Sequence, residues 1–118
     1  MEVTVANFRR QLSWLQTRYE VVDLATAISR WHDSDSDRLV VLTFDDGYRD
    51  TRTVAYPLLL EREMPFTLYI ATQQVEAATR SSGSTDGSSL AWSDIAEMDS
   101  SKLLTIGAHT HTHKDLRY

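Results

Sequence analysis

Apolar and polar positions along this chain switch repeatedly between the helical and the strand period, and that switching defines most of the elements. Phe8, Leu12 and Leu15, with Trp14 and Tyr19 nearby, fall close to helical spacing, and Thr4 or Asn7 is placed to cap that helix. Glu20-Val21-Val22 reads as a short strand, and Asp23 is placed to cap a second helix through Leu24, Ala27 and Ile28 to the vicinity of Trp31. Leu39-Val40-Val41-Leu42-Thr43-Phe44 is a nearly continuous apolar, β-branched run, which suits one strand covered on both faces. A helix from the region of Asp50 to Glu63 follows, with Val54, Leu58 and Leu59 on its buried side and Pro57 predicting a break or kink. Pro65 to Ile70 is the next strand. Arg80 to Ser89 holds five Ser, two Gly and no apolar residue, the composition of a mobile surface loop. Ser93 is placed to cap a short helix whose first turn carries Asp94 and Glu97, and Leu103 to Ile106 is the last strand. Strand and helix in alternation predict an α/β fold with a mostly parallel sheet, in which sites gather at the C-terminal ends of strands.

Composition narrows the function classes. Of 118 residues, 42% are hydrophobic and 25% charged, close to the average of globular domains, so a single domain over 1–118 is expected and neither disorder nor a fibrous chain fits. Lys and Arg number 12 against 17 Asp and Glu, a net charge of −5, and the basic residues form no stripe, so nucleic acid is not an expected partner. The absence of Cys excludes disulfide scaffolds, Cys-ligated zinc and thiol nucleophiles. No segment approaches the roughly 20 apolar residues of a membrane span. The start, Met1 to Val5, lacks the basic and apolar regions of a signal peptide, which permits a cytoplasmic location and equally fits a mature or partial chain.

Two of the expected strands run directly into ionisable clusters. Asp45-Asp46-Gly47 ends the first of them, and a surface turn holds such a pair in water, since Asp-Gly is a common turn. Against that bland reading, successive strand residues point opposite ways, so the two carboxylates can serve one site differently, one on a cation and the other free as a base. The second cluster is His109-Thr110-His111-Thr112-His113, three of the four histidines within five residues. A solvated His-rich loop competes with a metal site, for neutral imidazole is a common zinc ligand. If the segment is extended, all three histidines share one face and a neighbouring pair chelates. If it curls, His109 and His113 meet and His111 points away, and Gly107 just before them permits a sharp change of direction. Asp46 added to two imidazoles makes three ligands with positions left for water and substrate, which is what a hydrolytic metal centre needs.

Leu42-Thr43-Phe44-Asp45-Asp46-Gly47-Tyr48 resembles the first motif of the polysaccharide deacetylases, the NodB-homology or carbohydrate esterase family 4 group. Ile106-Gly107-Ala108-His109-Thr110-His111-Thr112-His113 resembles their second motif, a His, a Ser or Thr, two variable residues and a His. The two stand in the family's order with about 60 residues between them, and Phe8 to Leu24 is similar to the lead-in of exopolysaccharide and cell-wall deacetylases. The resemblance covers essentially the whole chain. It implies part of a distorted (β/α) barrel, with fewer than the eight units of a full one. It implies Asp45 as general base, Asp46, His109 and His113 as ligands of a divalent metal, and His111 at a variable place. Zinc suits the His-rich set best, although nickel, cobalt and iron accept it. The implied reaction removes N-acetyl or O-acetyl groups from an acetylated polysaccharide or oligosaccharide, often at the cell envelope or outside the cell.

The same resemblance implies a catalytic His, an Arg-containing motif and an Asp/Trp motif later in the domain, beyond Tyr118. The chain is therefore expected to be the N-terminal half of a domain of ~200 residues. Half a barrel leaves strand edges uncovered, so self-association, a homo-oligomer or a longer polypeptide is expected. Competing readings are an amidohydrolase-type hydrolase that chelates through His109 and His111, and an inactive metal- or glycan-binding fragment. Asp33, Asp35 and Asp37 alternate like a calcium loop, but Arg38 stands where Gly is needed and Phe44 where Glu is needed, so a solvated loop is expected. Trp14, Trp31, Tyr19, Phe8 and Phe66 are expected in the core, Trp92 in the core rather than as a sugar platform, Tyr48 packed beside the site, His32 at a helix end, and Arg49-Asp50 opening a helix.

Overall fold

The computed structural model describes residues 3–81 and 88–117. Helix α1 (Val5–Arg18) starts at Thr4, whose hydroxyl accepts from the Asn7 N–H at 3.2 Å. Strand β1 (Glu20–Val21) follows, then α2 (Leu24–Ser29), capped by Asp23, whose carboxylate accepts from the Thr26 N–H at 2.8 Å and from its hydroxyl at 2.7 Å. A 3₁₀ turn (Ser36–Arg38) leads to β2 (Leu39–Val40), which pairs in parallel with β1. Strands β3 (Thr43–Asp46), β4 (Phe66–Ile70) and β5 (Leu104–Ala108) form a second parallel sheet in the order β3-β4-β5. Between them lie a π-helical turn (Thr51–Ala55) running into α3 (Tyr56–Glu61), α4 (Thr72–Arg80) and α5 (Trp92–Asp99).

The apolar run from Leu39 to Phe44 is two strands rather than one. Its first half serves β1, with the Val22 N–H bonded to Val40 O at 2.9 Å; its second half serves β4, with the Thr67 N–H bonded to Leu42 O at 2.9 Å. Hydrophobicity reports burial and not hydrogen-bonding partner, so the change of sheet at Val41-Leu42 leaves no mark in the pattern. None of Leu39 to Phe44 is fully buried, and the strand covered on both faces is β4, the centre of its sheet. Phe66 is its hub: its ring meets Phe44 edge-on at 5.8 Å and Tyr56 at 6.3 Å, and Phe44 in turn meets Phe8 of α1 at 6.3 Å. Leu58, Leu59, Leu68, Val75, Leu90, Ile95 and Met98 are among the other members of the core.

The break expected at Pro57 takes the form of the π-turn. The Tyr56 N–H reaches back five residues to Thr51 O, and Pro57 then falls in the first turn of α3, where its missing N–H has no role to fill. The α5 cap is Ala91 rather than Ser93, and Asp94 supplies the bond, its carboxylate accepting from the Ala91 N–H at 2.9 Å. Helix α4 has no counterpart in the apolar pattern, because Val75 is its one large buried side chain. Ser82 to Gly87 of the Ser- and Gly-rich segment lie outside the described residues.

Several aromatic side chains expected inside lie at the surface. Trp31 is 72% exposed, Trp14 49% and Trp92 40%. Trp14 packs instead against Tyr19, ring centroids 5.4 Å apart, under the Arg18 guanidinium at 5.1 Å, a local arrangement that a helical pattern cannot tell from core packing. Tyr48 is likewise half exposed. Asp33 and Asp35 are engaged by Arg30, at 3.7 and 2.7 Å, which fits the solvated-loop reading of that segment. No helix among the described residues is long and apolar enough to cross a membrane.

Candidate metal centre

Parallel pairing brings the C-terminal ends of β3, β4 and β5 level, with Asp46, Ile70 and Ala108 in register across the sheet. β3 and β5 are two strand spacings apart, about 9.5 Å. Side chains from the outer two strands must therefore reach toward each other over Ile70. His109 continues the ladder one residue past β5, its N–H donating to Ile70 O at 2.9 Å.

Local backbone geometry then aims the groups. The Gly47 N–H donates to Asp45 O at 2.9 Å around Asp46, whose φ is 70°, a γ-turn of the rare and strained hand. Gly47 follows at φ 77°, a value a side chain would resist. Thr110 (φ 64°) and His113 (φ 56°) turn the histidine segment back on itself, so that the His109 and His113 rings lie 4.9 Å apart. Residues other than Gly in such conformations cost of order 1–3 kcal/mol each and concentrate where function over-determines the backbone. From the far side, the Leu90 N–H donates to Gly47 O and the Arg49 N–H to Ser88 O, both at 2.8 Å, which pins the end of β3.

The result is a cluster of three. One ligand atom from each of Asp46, His109 and His113 lies within 4.8 Å of the others. Asp46 Oδ1 is 3.3 Å from His109 Nε2 and 2.9 Å from His113 Nε2, yet this buried oxygen has no hydrogen-bond partner. A carboxylate oxygen shielded from water without a donor is costly. Two imidazole nitrogens facing it give that cost a purpose if a cation lies among them. Ligands about 2.0–2.2 Å from a tetrahedral zinc stand about 3.3 Å from one another, which matches the spacing. The donor set, two imidazoles and one carboxylate, therefore fits a divalent metal.

The curled arrangement of the histidine segment is the one observed. His111 is exposed, and its Nδ1 lies 2.8 Å from the Thr72 hydroxyl rather than in the cluster. Asp45 is exposed at the last turn of β3 and is not one of the three clustered residues. Gly107 does not make the turn expected of it. It lies inside β5, and a Cβ there would stand 2.4 Å from the Tyr69 ring, so its role is to let that ring lie flat on the strand. Thr72 is the contact that the sequence pattern passes over; the helix-favouring run Gln73-Gln74-Val75-Glu76-Ala77-Ala78 was the available signal, one of propensity rather than periodicity.

Residues 32–118 match the family model described as polysaccharide deacetylase. No curated protein matches the chain in sequence. Among solved structures, IcaB from Ammonifex degensii is similar at 29% identity and a TM-score of 0.75 over 92% of this chain. The Streptococcus pyogenes deacetylase PplD, solved in complex with acetate, is similar at 24% identity and 0.75 over 97%, and the BpsB deacetylase domain from Bordetella bronchiseptica at 23% and 0.67 over 86%. The last two show a shared fold. The match spans 46%, 48% and 42% of those three structures, so this chain corresponds to less than half of each. With both motifs at the ends of strands of one parallel sheet and the family model covering most of its length, the chain belongs to the polysaccharide deacetylase family.

Proposed function

We propose that this chain carries the metal-binding part of a deacetylase that removes N-acetyl, or O-acetyl, groups from a polysaccharide or amino-sugar substrate. The observation that carries the reading is the buried Asp46 oxygen without a hydrogen-bond partner, faced by the Nε2 atoms of His109 and His113. These three residues would hold the metal, with zinc favoured by the two imidazoles. A divalent cation bound there supplies Lewis-acid activation of water and of the acyl oxygen.

The protein's own groups account for the rest of the chemistry on this chain. Asp45, exposed at the same strand end, is the general base, and its carboxylate takes the proton of the attacking water. Asp46 serves as a ligand, so the two neighbouring carboxylates divide the work. The strained γ-turn breaks the strand's regular alternation just where the two roles must separate. Open solvent beside His113, an exposed residue, leaves room for a polymeric substrate.

Acetate release from an acetylated chito-oligosaccharide, read together with metal binding by calorimetry, tests the reading. Asp45→Asn is expected to keep the metal and lose activity by a factor of about 10²–10⁴, the usual worth of a general base. Asp46→Asn is expected to lose both. Metal binding by Asp46→Asn as tight as the original would refute the ligand assignment. Metal binding without acetate release by the unsubstituted protein would favour a metal- or glycan-binding module instead.

A further inference from the structure

Helix α4 begins without a side-chain cap, since its N-cap is Ala71. Its first N–H groups must find acceptors elsewhere. They find them in the histidine segment: the Thr72 N–H donates to Thr110 O at 3.4 Å and the Gln73 N–H to His111 O at 2.9 Å. A third contact joins the same residues, the 2.8 Å hydrogen bond between the Thr72 hydroxyl and His111 Nδ1. With the hydroxyl donating, the neutral imidazole carries its proton on Nε2.

Two consecutive residues of α4 thus grip two consecutive residues of the segment, and the hydroxyl–imidazole bond is the part of the grip that depends on side-chain chemistry. The helix is a firm support. Val75 is fully buried in the core, and the Thr79 hydroxyl accepts from the Trp92 N–H at 2.9 Å while donating to Val75 O at 2.8 Å. On the gripped side, three histidines within five residues offer competing pairings, and the observed pair requires left-handed backbone at Thr110 and His113.

We propose that Thr72 is a positioning residue of the metal centre: its hydroxyl holds the His111 imidazole out of the cluster, so that His109 and His113 are the pair that faces Asp46. The inference rests on the ligand reading given above. It assigns a role to the middle histidine as well, as the handle by which α4 holds the segment. Groups that orient metal ligands from outside the coordination sphere set affinity and ligand geometry without touching the ion.

Titration of the metal-free protein with cobalt(II), followed by visible absorption and calorimetry, tests this. Thr72→Val removes the hydroxyl at nearly constant volume. It is expected to weaken binding about tenfold, the lower end of what supporting residues contribute, and to change the absorption spectrum as His111 becomes free to coordinate. Thr72→Ser keeps a hydroxyl and is expected to restore the original spectrum, with affinity within about twofold. Adding His111→Ala to Thr72→Val is expected to return the original spectrum by removing the competitor.

An unchanged spectrum and affinity in Thr72→Val, alongside loss of binding in Asp46→Asn, would overturn the positioning role and leave the ligand reading standing. Undiminished binding in Asp46→Asn would remove the ligand reading and this inference with it. Circular dichroism of the metal-free forms checks folding. If Thr72→Val does not fold, Thr72→Ala takes its place: weakened binding with a changed spectrum supports the proposal, and the original spectrum and affinity overturn it.

Discussion

Leu12 and Val22 are the buried apolar side chains between Val5 and Val40, whereas Phe66, Leu68, Ile70, Val75, Leu90, Ile95 and Met98 are among those between Thr43 and Ala108. Both regions are built from parallel strands and helices. The first has a sheet of two short strands, and two-stranded sheets are marginal by themselves. It leaves Trp14, Leu24, Ile28 and Trp31 exposed and relies on local polar devices: caps at Thr4 and Asp23, and Arg30 bound to Glu20 at 2.9 Å and Asp35 at 2.7 Å. The second has a central strand covered on both faces and places the candidate site on that strand's neighbours. The chain's Cα radius of gyration is 15.4 Å, against about 13.5 Å for a compact domain of this length. The contrast teaches that the left-handed residues of the candidate site, themselves half-buried or exposed, stand at the ends of strands flanking a deeply buried one, and that the thinly packed flank carries none of the candidate chemistry.

Substitutions that distinguish burial from local polar contacts sharpen this comparison. The largest effect is expected at Phe66, whose ring joins α1, β3 and α3 through Phe44 and Tyr56. Phe66→Ala should cost about 3–5 kcal/mol in urea denaturation, and a loss under 1 kcal/mol would show that the sheet is not the stability centre. Next is Gly107→Ala, whose methyl group would meet the Tyr69 ring at 2.4 Å. It should cost about 1–3 kcal/mol by thermal denaturation, and little when Tyr69 is already Ala; an equal cost in both backgrounds would place its origin elsewhere.

In the thinner region Asp23→Ala should cost about 1 kcal/mol, as loss of a helix cap does. This contribution carries a pH signature. The Thr26 N–H and hydroxyl hold the Asp23 carboxyl below its ordinary value of 3.8. The folded state therefore binds that proton less readily than the unfolded state. The stabilisation is full above the ordinary value and fades as pH falls toward the lowered one. The stability gap between the original protein and Asp23→Ala should accordingly close in acid; a gap that widened there would reverse the assignment. The smallest effect is expected at Trp31→Ala, within about 0.5 kcal/mol despite the size of the side chain. A large loss there would break the contrast between the two regions.

Strand β4 and helices α1 and α2 were legible in the sequence because apolar spacing and capping residues coincide there, as at Thr4 and Asp23. The site's two halves were legible because chemistry-bearing residues directly follow apolar runs. Their convergence was implied by resemblance, and the choice of His113 over His111 was left open by spacing alone. That choice lies in the left-handed backbone at Thr110 and His113 and in the Thr72 contact, neither of which a periodicity can express. The split between β2 and β3 was hidden because both halves are equally apolar. Trp14 was misplaced because its helix, in a thin layer, has no second surface to bury it. Gly107 was read as a hinge because glycine permits turns; the structure uses its lack of a side chain instead.

X-ray absorption at the zinc edge of the zinc-loaded protein examines the central claim most directly. The expected coordination is two imidazoles and one carboxylate oxygen from the protein, with the oxygen contribution altered in Asp46→Asn and the imidazole count unchanged in His111→Ala. Three protein imidazoles around the metal, or a spectrum indifferent to Asp46→Asn, would contradict the account.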